Sequence, residues 1–169
     1  MSVIGNWQKE VMRFASHLKV HIHHGSQRAK EGEFNQLCQQ HDLMITSYTI
    51  ALRDAKLLQK TEWHRVVLDE AQNIKNPRAK ASQLVREINA RHRICLTGTP
   101  IENHLGELWA QFDFLMPGYL YDQKNFGSLF RKPIEQEASE TRQEALNIRV
   151  RPFLLRRLKE DVAKELPAK

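Results

Sequence analysis

The chain has 169 residues, of which 41% are hydrophobic and 27% charged, and 26 basic against 20 acidic side chains give a formal net charge of +6. These values predict one globular domain, or a large part of one, and exclude a disordered or collagen-like chain. No apolar run approaches the roughly 20 residues that cross a bilayer, and the N-terminus lacks the pattern of a secretory leader. The two cysteines, Cys38 and Cys95, lie in dissimilar sequence surroundings. This favours a reduced intracellular setting over a disulfide framework.

Short β-type runs alternate with helix-type segments through the first two thirds of the chain, which predicts an α/β fold with a mostly parallel sheet. The predicted strands are Leu18 to His23, Leu43 to Thr46, Val66 to Leu68 and Arg93 to Leu96. Apolar spacing predicts a first helix, with Asn6 as its N-cap and one stripe formed by Trp7, Val11, Phe14 and Leu18.

Two further helices follow from the same kind of pattern. Asn76 and Pro77 are predicted as N-cap and first residue of one helix, whose buried face comprises Ala81, Leu84, Val85 and Ile88. The next helix is predicted from Leu105 to Leu115, before Pro117 and Gly118. Beyond that point only helices are predicted, broken by prolines 133, 152 and 167, so residues 1–117 form an α/β part and residues 118–169 a helical appendage.

Two adjacent carboxylates, Asp69 and Glu70, directly follow the predicted strand that ends at Leu68. In open α/β sheets, ligands bind at the carboxyl ends of the strands. One carboxylate can hold Mg²⁺ through its waters while the next orients the water that attacks a γ-phosphate. An isolated Asp-Glu pair is common on exposed turns, and it is the preceding apolar strand that favours a functional role.

A second strand ends in small polar residues. Thr97, Gly98 and Thr99 follow the run that ends at Leu96, and Asn103 lies a few residues on. The hydroxyls can hydrogen-bond the carboxylates, a water or a phosphate, and Gly98 allows the backbone to approach closely. Taken alone, this segment is as well explained by an ordinary turn.

Together the two segments, Asp69-Glu-Ala-Gln72 (a DEAQ box) and Leu96-Thr-Gly-Thr-Pro-Ile-Glu-Asn103, resemble motifs II and III of superfamily-two helicase-like ATPases, in particular the Swi/Snf-type branch. Ser2-Val-Ile-Gly-Asn-Trp7 is similar to the end of motif Ia of that branch and Ile45-Thr-Ser-Tyr48 to its motif Ib. Residues 151–162 resemble the segment that leads toward the second lobe. The resemblance spans nearly the whole chain.

The resemblance implies an incomplete RecA-like (P-loop NTPase type) parallel sheet with helices on both faces. It also implies ATP-driven translocation on double-stranded DNA that remodels protein-DNA complexes, in the bacterial cytoplasm and nucleoid or in a nucleus. By position, Asp69 would bind Mg²⁺ through water and Glu70 would be the catalytic base; both would contact ATP. The coupling residues would be Gln72, Thr97, Gly98, Thr99 and Asn103. The DNA backbone would be approached by Ser2, Asn6, Thr46 and Ser47.

ATPases of this kind need a Gly-rich phosphate loop that ends in Gly-Lys-Ser/Thr. None of the seven glycines of this sequence is followed by Lys, and the family places that loop before motif Ia. We therefore expect a fragment of a larger ATPase that is inactive alone, because both the phosphate loop and the second lobe belong to the rest of that ATPase or to a partner. The alternative is a non-catalytic DNA- or protein-interaction module derived from the helicase core.

The three histidines His21, His23 and His24 suggest a metal site only weakly, because zinc sites normally need four ligands and no Cys, Asp or Glu cluster stands beside them. A strand end followed by a Gly25-Ser26 turn is the favoured interpretation. Trp109 and Phe112 are predicted to be core residues rather than base-stacking groups.

Overall fold

The computed structural model describes residues 3–98 and 104–157. Four short strands lie in the first part of the chain: β1 (Val20–Ile22), β2 (Leu43–Ile45), β3 (Trp63–Leu68) and β4 (Ala90–Cys95). The helices that accompany them are α1 (Val3–Phe14), α2 (Glu31–Gln40), α3 (Tyr48–Arg53), α4 (Ala55–Lys60) and α5 (Lys80–Glu87), with a 3₁₀ turn at Ala71–Ile74. Only helices follow in the described residues: α6 (Leu105–Leu115), α7 (Gln123–Phe126), α8 (Lys132–Glu137) and α9 (Glu140–Val150), then a 3₁₀ turn at Arg151–Phe153.

All four strands pair in parallel. β1 pairs with β2, with Val20 opposite Leu43, and β3 pairs with β4, with Leu68 opposite Cys95. Each pair is joined through at least one helix, as parallel strands require. The predicted parallel α/β architecture is therefore present, but the strands form two separate two-stranded sheets instead of one continuous sheet.

The predicted strands lie in the right places, but two of them are longer than predicted. β3 begins at Trp63 and β4 at Ala90, three residues before the predicted Val66 and Arg93. The added residues include exposed polar side chains such as Arg65 and His92, which face each other across the pair. A search for apolar runs misses such residues, because a strand with one solvent-facing side does not need apolar residues at its start.

The helix predicted from Leu105 to Leu115 is confirmed as α6, but the other two predicted helix starts are wrong. α1 begins at Val3, so Asn6 lies inside the helix and is not its N-cap. α5 begins at Lys80 with Ala79 as N-cap. Asn76 instead closes a separate turn, in which its side-chain oxygen accepts a hydrogen bond from the Arg78 N–H at 3.0 Å. Asn-Pro is a strong turn signal in its own right, and here it forms a turn before the helix.

The predicted apolar stripe of α1 is only partly buried. Val11 is buried and Trp7 half-buried, but Phe14 is 71% exposed and Leu18 lies beyond the end of the helix. The predicted face of α5 is better matched, since Leu84, Val85 and Ile88 are all buried. Helical periodicity therefore located both helices but overestimated how much of α1 the described residues cover.

The buried residues form two hydrophobic clusters. The first core joins side chains from the strands and from α2 to α5, and it contains Phe34, Leu58, Leu68, Ile74, Leu84, Val85 and Phe114. The second core is built from α6 to α9 and contains Leu108, Trp109, Phe112, Leu120, Phe126, Phe130, Leu146 and Val150. Helix α6 contributes to both, and the predicted core positions Trp109 and Phe112 are both buried in the second.

Pro133 does not break the helical run as predicted. The chain is helical from residue 123 to 137, and Pro133 lies in the first turn of α8. A π-helical turn at Gly127–Arg131 directly precedes α8. Proline has no backbone N–H, so one helical hydrogen bond is missing there, and the widened turn tolerates its loss. No helix within residues 3–98 and 104–157 is long and apolar enough to cross a membrane.

Candidate functional site

The two adjacent carboxylates lie where β3 ends. Asp69 follows Leu68 directly, and Glu70 has a left-handed backbone conformation, with φ 49° and ψ 53°. That conformation is unfavourable for a residue with a side chain, and strained residues of this kind cluster at functional sites. The ladder with β4 continues past the pair, since Ala71 N–H donates to the Leu96 carbonyl at 2.9 Å. The chain is thus held on both sides of the Asp69-Glu70 turn.

Asp69 is fixed by three hydrogen bonds. Its Oδ2 accepts one from the indole Nε1–H of Trp7 at 2.7 Å, and its Oδ1 accepts one from the Glu70 N–H at 2.9 Å. Its backbone carbonyl accepts a third from the Tyr48 hydroxyl at 2.9 Å. A carboxylate has about four lone-pair positions, so both oxygens of Asp69 keep acceptor capacity for a ligand.

Tyr48 remains a donor over the whole physiological pH range. Burial, followed by the nearby Cys95, Asp69 and Glu70, raises the pKa of its phenol far above the ordinary value. Burial also raises the pKa of the Cys95 thiol to about 12. This keeps the thiol protonated and unreactive beside the site. The Tyr48 phenol and the Cys95 thiol therefore both stay protonated beside the site.

A chain of hydrogen bonds links the end of β4 to Glu70. The Thr97 hydroxyl donates to Gln72 Oε1 at 2.8 Å, and Gln72 Nε2–H donates to Glu70 Oε2 at 2.6 Å. Gln72 lies on the 3₁₀ turn that follows the carboxylates. Two segments 25 residues apart in sequence therefore meet at one edge of the β3–β4 pair, and the orientation of the Glu70 carboxylate depends on both.

The structure gives no steric reason for a glycine at position 98. A Cβ built on Gly98 meets no described atom within 4 Å, and its φ is not in the left-handed region. The expected close approach of another backbone is therefore not observed in the described residues. Thr99 and Asn103 lie outside the described residues, as does Ser2.

The residues predicted to approach DNA lie on α1 and at the end of β2. Asn6 is exposed on α1. Thr46 donates from its hydroxyl to the His23 carbonyl at 2.8 Å, and Ser47 is the N-cap of α3, with its Oγ accepting from Ile50 N–H at 3.3 Å. Ser47 also lines an open cleft of about 430 Å³, together with His24, Ser26, Arg28, Thr49 and Arg53.

The histidine cluster does not form a metal site. Among the described residues no group of three or more His, Cys, Asp or Glu side chains could hold a metal ion. His23 is fully buried, and its Nε2 lies 2.8 Å from Asp54 Oδ2. Arg28 pairs with the same carboxylate through two bonds. His23 therefore belongs to a hydrogen-bonded cluster with Asp54 and Arg28, and Arg28 also lines the cleft.

Sequence reasoning did not find two of the residues that contact Asp69. The sequence places Trp7 on the apolar stripe of the first helix, and no local pattern connects it to a carboxylate 62 positions away. Tyr48 ends the Ile45-Thr-Ser-Tyr48 segment and opens α3. Because β2 and β3 lie in different sheets, the bond from Tyr48 to the Asp69 carbonyl is a tertiary contact that the sequence does not indicate.

Comparison with solved structures supports the resemblance to Swi/Snf-type ATPases that the sequence motifs indicate. The fold matches the Sulfolobus solfataricus SWI2/SNF2 ATPase core in complex with double-stranded DNA, with a TM-score of 0.84 and 39% identity. The match covers 96% of this chain and 33% of that one. The Sulfolobus solfataricus SWI2/SNF2 ATPase core domain also matches, with a TM-score of 0.80 over 98% of this chain. The α/β fold is thus that of part of a RecA-like ATPase core.

Sequence relatives agree with the structural match. YwqA of Bacillus subtilis, a helicase/translocase by its name, is 44% identical over 99% of this chain and 18% of its own length. The TATA-binding protein-associated factor MOT1 of Saccharomyces cerevisiae is 45% identical over 99% of this chain and 10% of its own length. The chain thus spans less than a fifth of either relative. The family model for the SNF2-related domain matches residues 1–169, and the chain therefore belongs to the SNF2-related, Swi/Snf helicase-like ATPase family.

Proposed function

We propose that the chain is part of the first motor lobe of an ATP-driven translocase on double-stranded DNA. The observation that carries this proposal is the convergence of Asp69, Glu70, Gln72 and Thr97 at one edge of the β3–β4 pair through direct hydrogen bonds. Motor ATPases need a metal-binding carboxylate, a carboxylate that orients water, and a connection from both to the parts that move.

The residues present fit Mg²⁺. This ion keeps several of its waters and is held in nucleotide sites by one or two carboxylates together with phosphates. The described residues contain no cluster of three or more protein ligands, which suits Mg²⁺ in this mode and would not suit zinc. Asp69 would hold the ion through water with the lone pairs that Trp7 and Glu70 N–H leave open. When bound, Mg²⁺ would neutralise negative charge on the phosphates.

In this proposal, Glu70 orients the attacking water and accepts its proton. The carboxylate is exposed and takes one hydrogen bond from Gln72 on Oε2, which leaves acceptor capacity for a water. Gln72 and Thr97 hold that orientation and would transmit changes between the nucleotide and the rest of the lobe. Gly98, Thr99 and Asn103 would extend this coupling segment. ATP is the substrate that this residue set implies.

The cleft beside Ser47 is proposed as the contact with the DNA backbone. It combines hydroxyls from Ser47 and Thr49 with the guanidinium groups of Arg28 and Arg53, and such groups contact phosphates without reading base sequence. The structural neighbour from Sulfolobus solfataricus is a complex with double-stranded DNA. Asn6 on α1, Thr46 and Ser2 are proposed to add further backbone contacts, and residues 1–117 and 118–169 are proposed as the motor part and its helical appendage.

The test is ATP hydrolysis with and without double-stranded DNA, measured on the 169-residue chain and on a chimera. In the chimera, this chain replaces the matching third of the Sulfolobus solfataricus core, which is expected to supply the phosphate loop and the second lobe. The chain alone is expected to turn over no faster than its Asp69→Asn variant. The chimera should show DNA-stimulated hydrolysis that Asp69→Asn or Glu70→Gln lowers by about 100-fold or more.

Glu62→Gln is the matched control, because Glu62 is an exposed carboxylate just before β3 whose partner is Arg91. It should leave hydrolysis unchanged. Chimera hydrolysis that ignores both site substitutions would refute the proposal. Salt-sensitive DNA binding that ignores Glu70→Gln, in a chimera without ATPase activity, would favour the non-catalytic interaction module instead.

A further inference from the structure

The side chain that holds Asp69 comes from a distant part of the chain. Trp7 lies on α1, and its indole N–H meets Asp69 Oδ2 at 2.7 Å across 62 positions of sequence. A hydrogen bond to a carboxylate is charge-assisted and about twice as strong as one between neutral groups. The contact therefore fixes the rotation of the Asp69 carboxylate and also ties α1 to the end of β3.

The other two tryptophans show what an ordinary structural indole does in this chain. Trp63 donates to the Leu58 carbonyl at 2.9 Å, and Trp109 donates to the Tyr121 carbonyl at 3.0 Å. Both indoles satisfy backbone carbonyls. Trp7 instead donates to the side chain that is proposed to hold the metal ion. Its hydrogen bond therefore attaches α1 and also orients a candidate functional group.

Apolar packing alone does not explain why Trp7 lies there. In α1 only Val11 is buried, while Val3, Met12 and Phe14 are all more than half exposed. A helix with so few buried apolar residues gains little from burial, and the indole-carboxylate bond becomes one of its main specific attachments. The residue before Trp7 is Asn6, which is exposed on the same helix.

We propose that Trp7 is a positioning residue for Asp69. The indole N–H and the Glu70 N–H each occupy one position on a different carboxylate oxygen. Together they leave the carboxylate with a single orientation and with free lone pairs on both oxygens. Partners that orient a metal-binding side chain in this way typically change metal affinity by 10- to 100-fold when removed. Because Trp7 is on α1, a shift of that helix changes the orientation of Asp69.

The inference rests on the proposed function only for the identity of the ion. Its geometric part is tested on the 169-residue chain by the ¹H–¹⁵N resonances of the three indole groups. Asp69→Asn replaces the charged acceptor by a neutral one, so the Trp7 indole resonance should shift, while those of Trp63 and Trp109 should stay in place. A Trp7 resonance that does not respond to Asp69→Asn would overturn the proposal.

The positioning part is tested with Mn²⁺ as the probe for the Mg²⁺ site. In the unsubstituted chain, Mn²⁺ should broaden the Glu70 amide and Trp7 indole signals before those of Trp63 and Trp109. Trp7→Phe keeps the aromatic ring but removes the donor, and it should weaken Mn²⁺ binding about 10-fold or more. Trp63→Phe removes an indole donor from a carbonyl partner and should leave Mn²⁺ affinity unchanged.

The outcomes separate the two proposals. If the chain binds no Mn²⁺ near Asp69 but the Trp7 indole shifts with Asp69→Asn, the ion assignment fails and the Trp7 contact stands. If Mn²⁺ binds near Asp69 with equal affinity in the unsubstituted chain and in Trp7→Phe, the metal site stands and the positioning role is refuted. A Glu70 amide resonance that shifts in Trp7→Phe but not in Trp63→Phe would show, independently of any ion, that the carboxylate has turned.

Discussion

The two hydrophobic cores of this chain are built in different ways. The first core gathers residues from strands and helices that are far apart in sequence, from Ala29 to Phe114, and the strand ends above it carry Asp69, Glu70 and Thr97. The second core is formed by residues from Leu108 to Val150 on consecutive helices, and it is rich in aromatic rings. Polar chemistry is thus concentrated where distant segments meet, and the locally built region adds packing.

Helix α6 is the element that the two cores share. Phe114 is fully buried in the first core, and Phe112, two residues earlier, is buried in the second. Residues two apart on a helix point in different directions. The same helix can therefore serve both clusters, and substitutions at these two positions test the cores separately.

The largest effect is expected from truncating these two rings. Phe114→Ala and Phe112→Ala should each lower the free energy of unfolding by about 3–5 kcal/mol, because each removes a buried aromatic ring and leaves a cavity. Amide hydrogen exchange locates the damage. Phe114→Ala should increase exchange most in β3 and β4, and Phe112→Ala most in α7 to α9.

Tyr121→Ala is a suitable comparison, because Tyr121 is 39% exposed and its ring lies against the Arg149 guanidinium. It should lower stability by less than either phenylalanine substitution. If Phe112→Ala and Phe114→Ala produced the same exchange pattern, the two cores would be one cooperative unit, and the contrast between them would have no energetic meaning.

The contrast also explains what the sequence could and could not predict. Strand ends followed by Asp69-Glu70 and by Thr97 are visible in the sequence, because apolar runs and polar breaks are local patterns. The pairing of Trp7 with Asp69, and the bond from Tyr48 to the Asp69 carbonyl, depend on tertiary packing and have no local signature. Phe14 follows the periodicity of a buried stripe, yet it is 71% exposed, with the Arg13 guanidinium over its ring.

The next effect concerns the attachment of α5 and α6 to β4. Arg93 on β4 donates to the carbonyls of Arg86 and Ile88 at the end of α5 and to that of Phe114 at the end of α6, at 3.1, 2.9 and 2.8 Å. Helix ends have carbonyls without helical partners, and a cation is favourable there. Arg93→Met should lower the free energy of unfolding by about 2–3 kcal/mol, measured by urea denaturation.

Arg91→Met is the matched control on the same strand. The Arg91 guanidinium bonds the exposed Glu62 carboxylate, and exposed ion pairs contribute about 0–1 kcal/mol. Equal losses for Arg91→Met and Arg93→Met would show that the three carbonyl contacts do not stabilise the attachment of α5 and α6 to β4.

A smaller effect, which depends on pH, is expected in the first core. The Arg28 guanidinium, followed by His23, holds the pKa of Asp54 below its ordinary value of 3.8, against the opposing effect of burial. A carboxylate with a lowered pKa stabilises the fold above its unfolded pKa and loses that contribution as pH falls through its folded pKa. Asp54→Asn should lower stability by about 1–2 kcal/mol at neutral pH.

The difference between the unsubstituted chain and Asp54→Asn should shrink as the pH falls below about 4. Urea denaturation at a series of pH values measures this convergence. Asp42→Asn is the comparison, because Asp42 is exposed and accepts a hydrogen bond from the Lys19 N–H. A difference that remains constant down to pH 2 would show that the Asp54 charge contributes nothing through Arg28 and His23.

The smallest effect on stability is expected at the open face of β3 and β4. Val67 and Ile94 face each other across the pair and are 44% and 38% exposed, with Leu96 beside them on the same face. Contiguous exposed apolar side chains promote association. Val67→Thr combined with Ile94→Thr should change the free energy of unfolding by less than about 1 kcal/mol, but should reduce binding of a hydrophobic dye and self-association of the purified chain.

Ile148→Thr tests whether exposure alone is responsible, since Ile148 is 67% exposed on α9, outside this sheet face. If Ile148→Thr reduced self-association as much as the double substitution, the association would arise from general surface hydrophobicity, and the sheet face would not be the distinguishing feature of the α/β region.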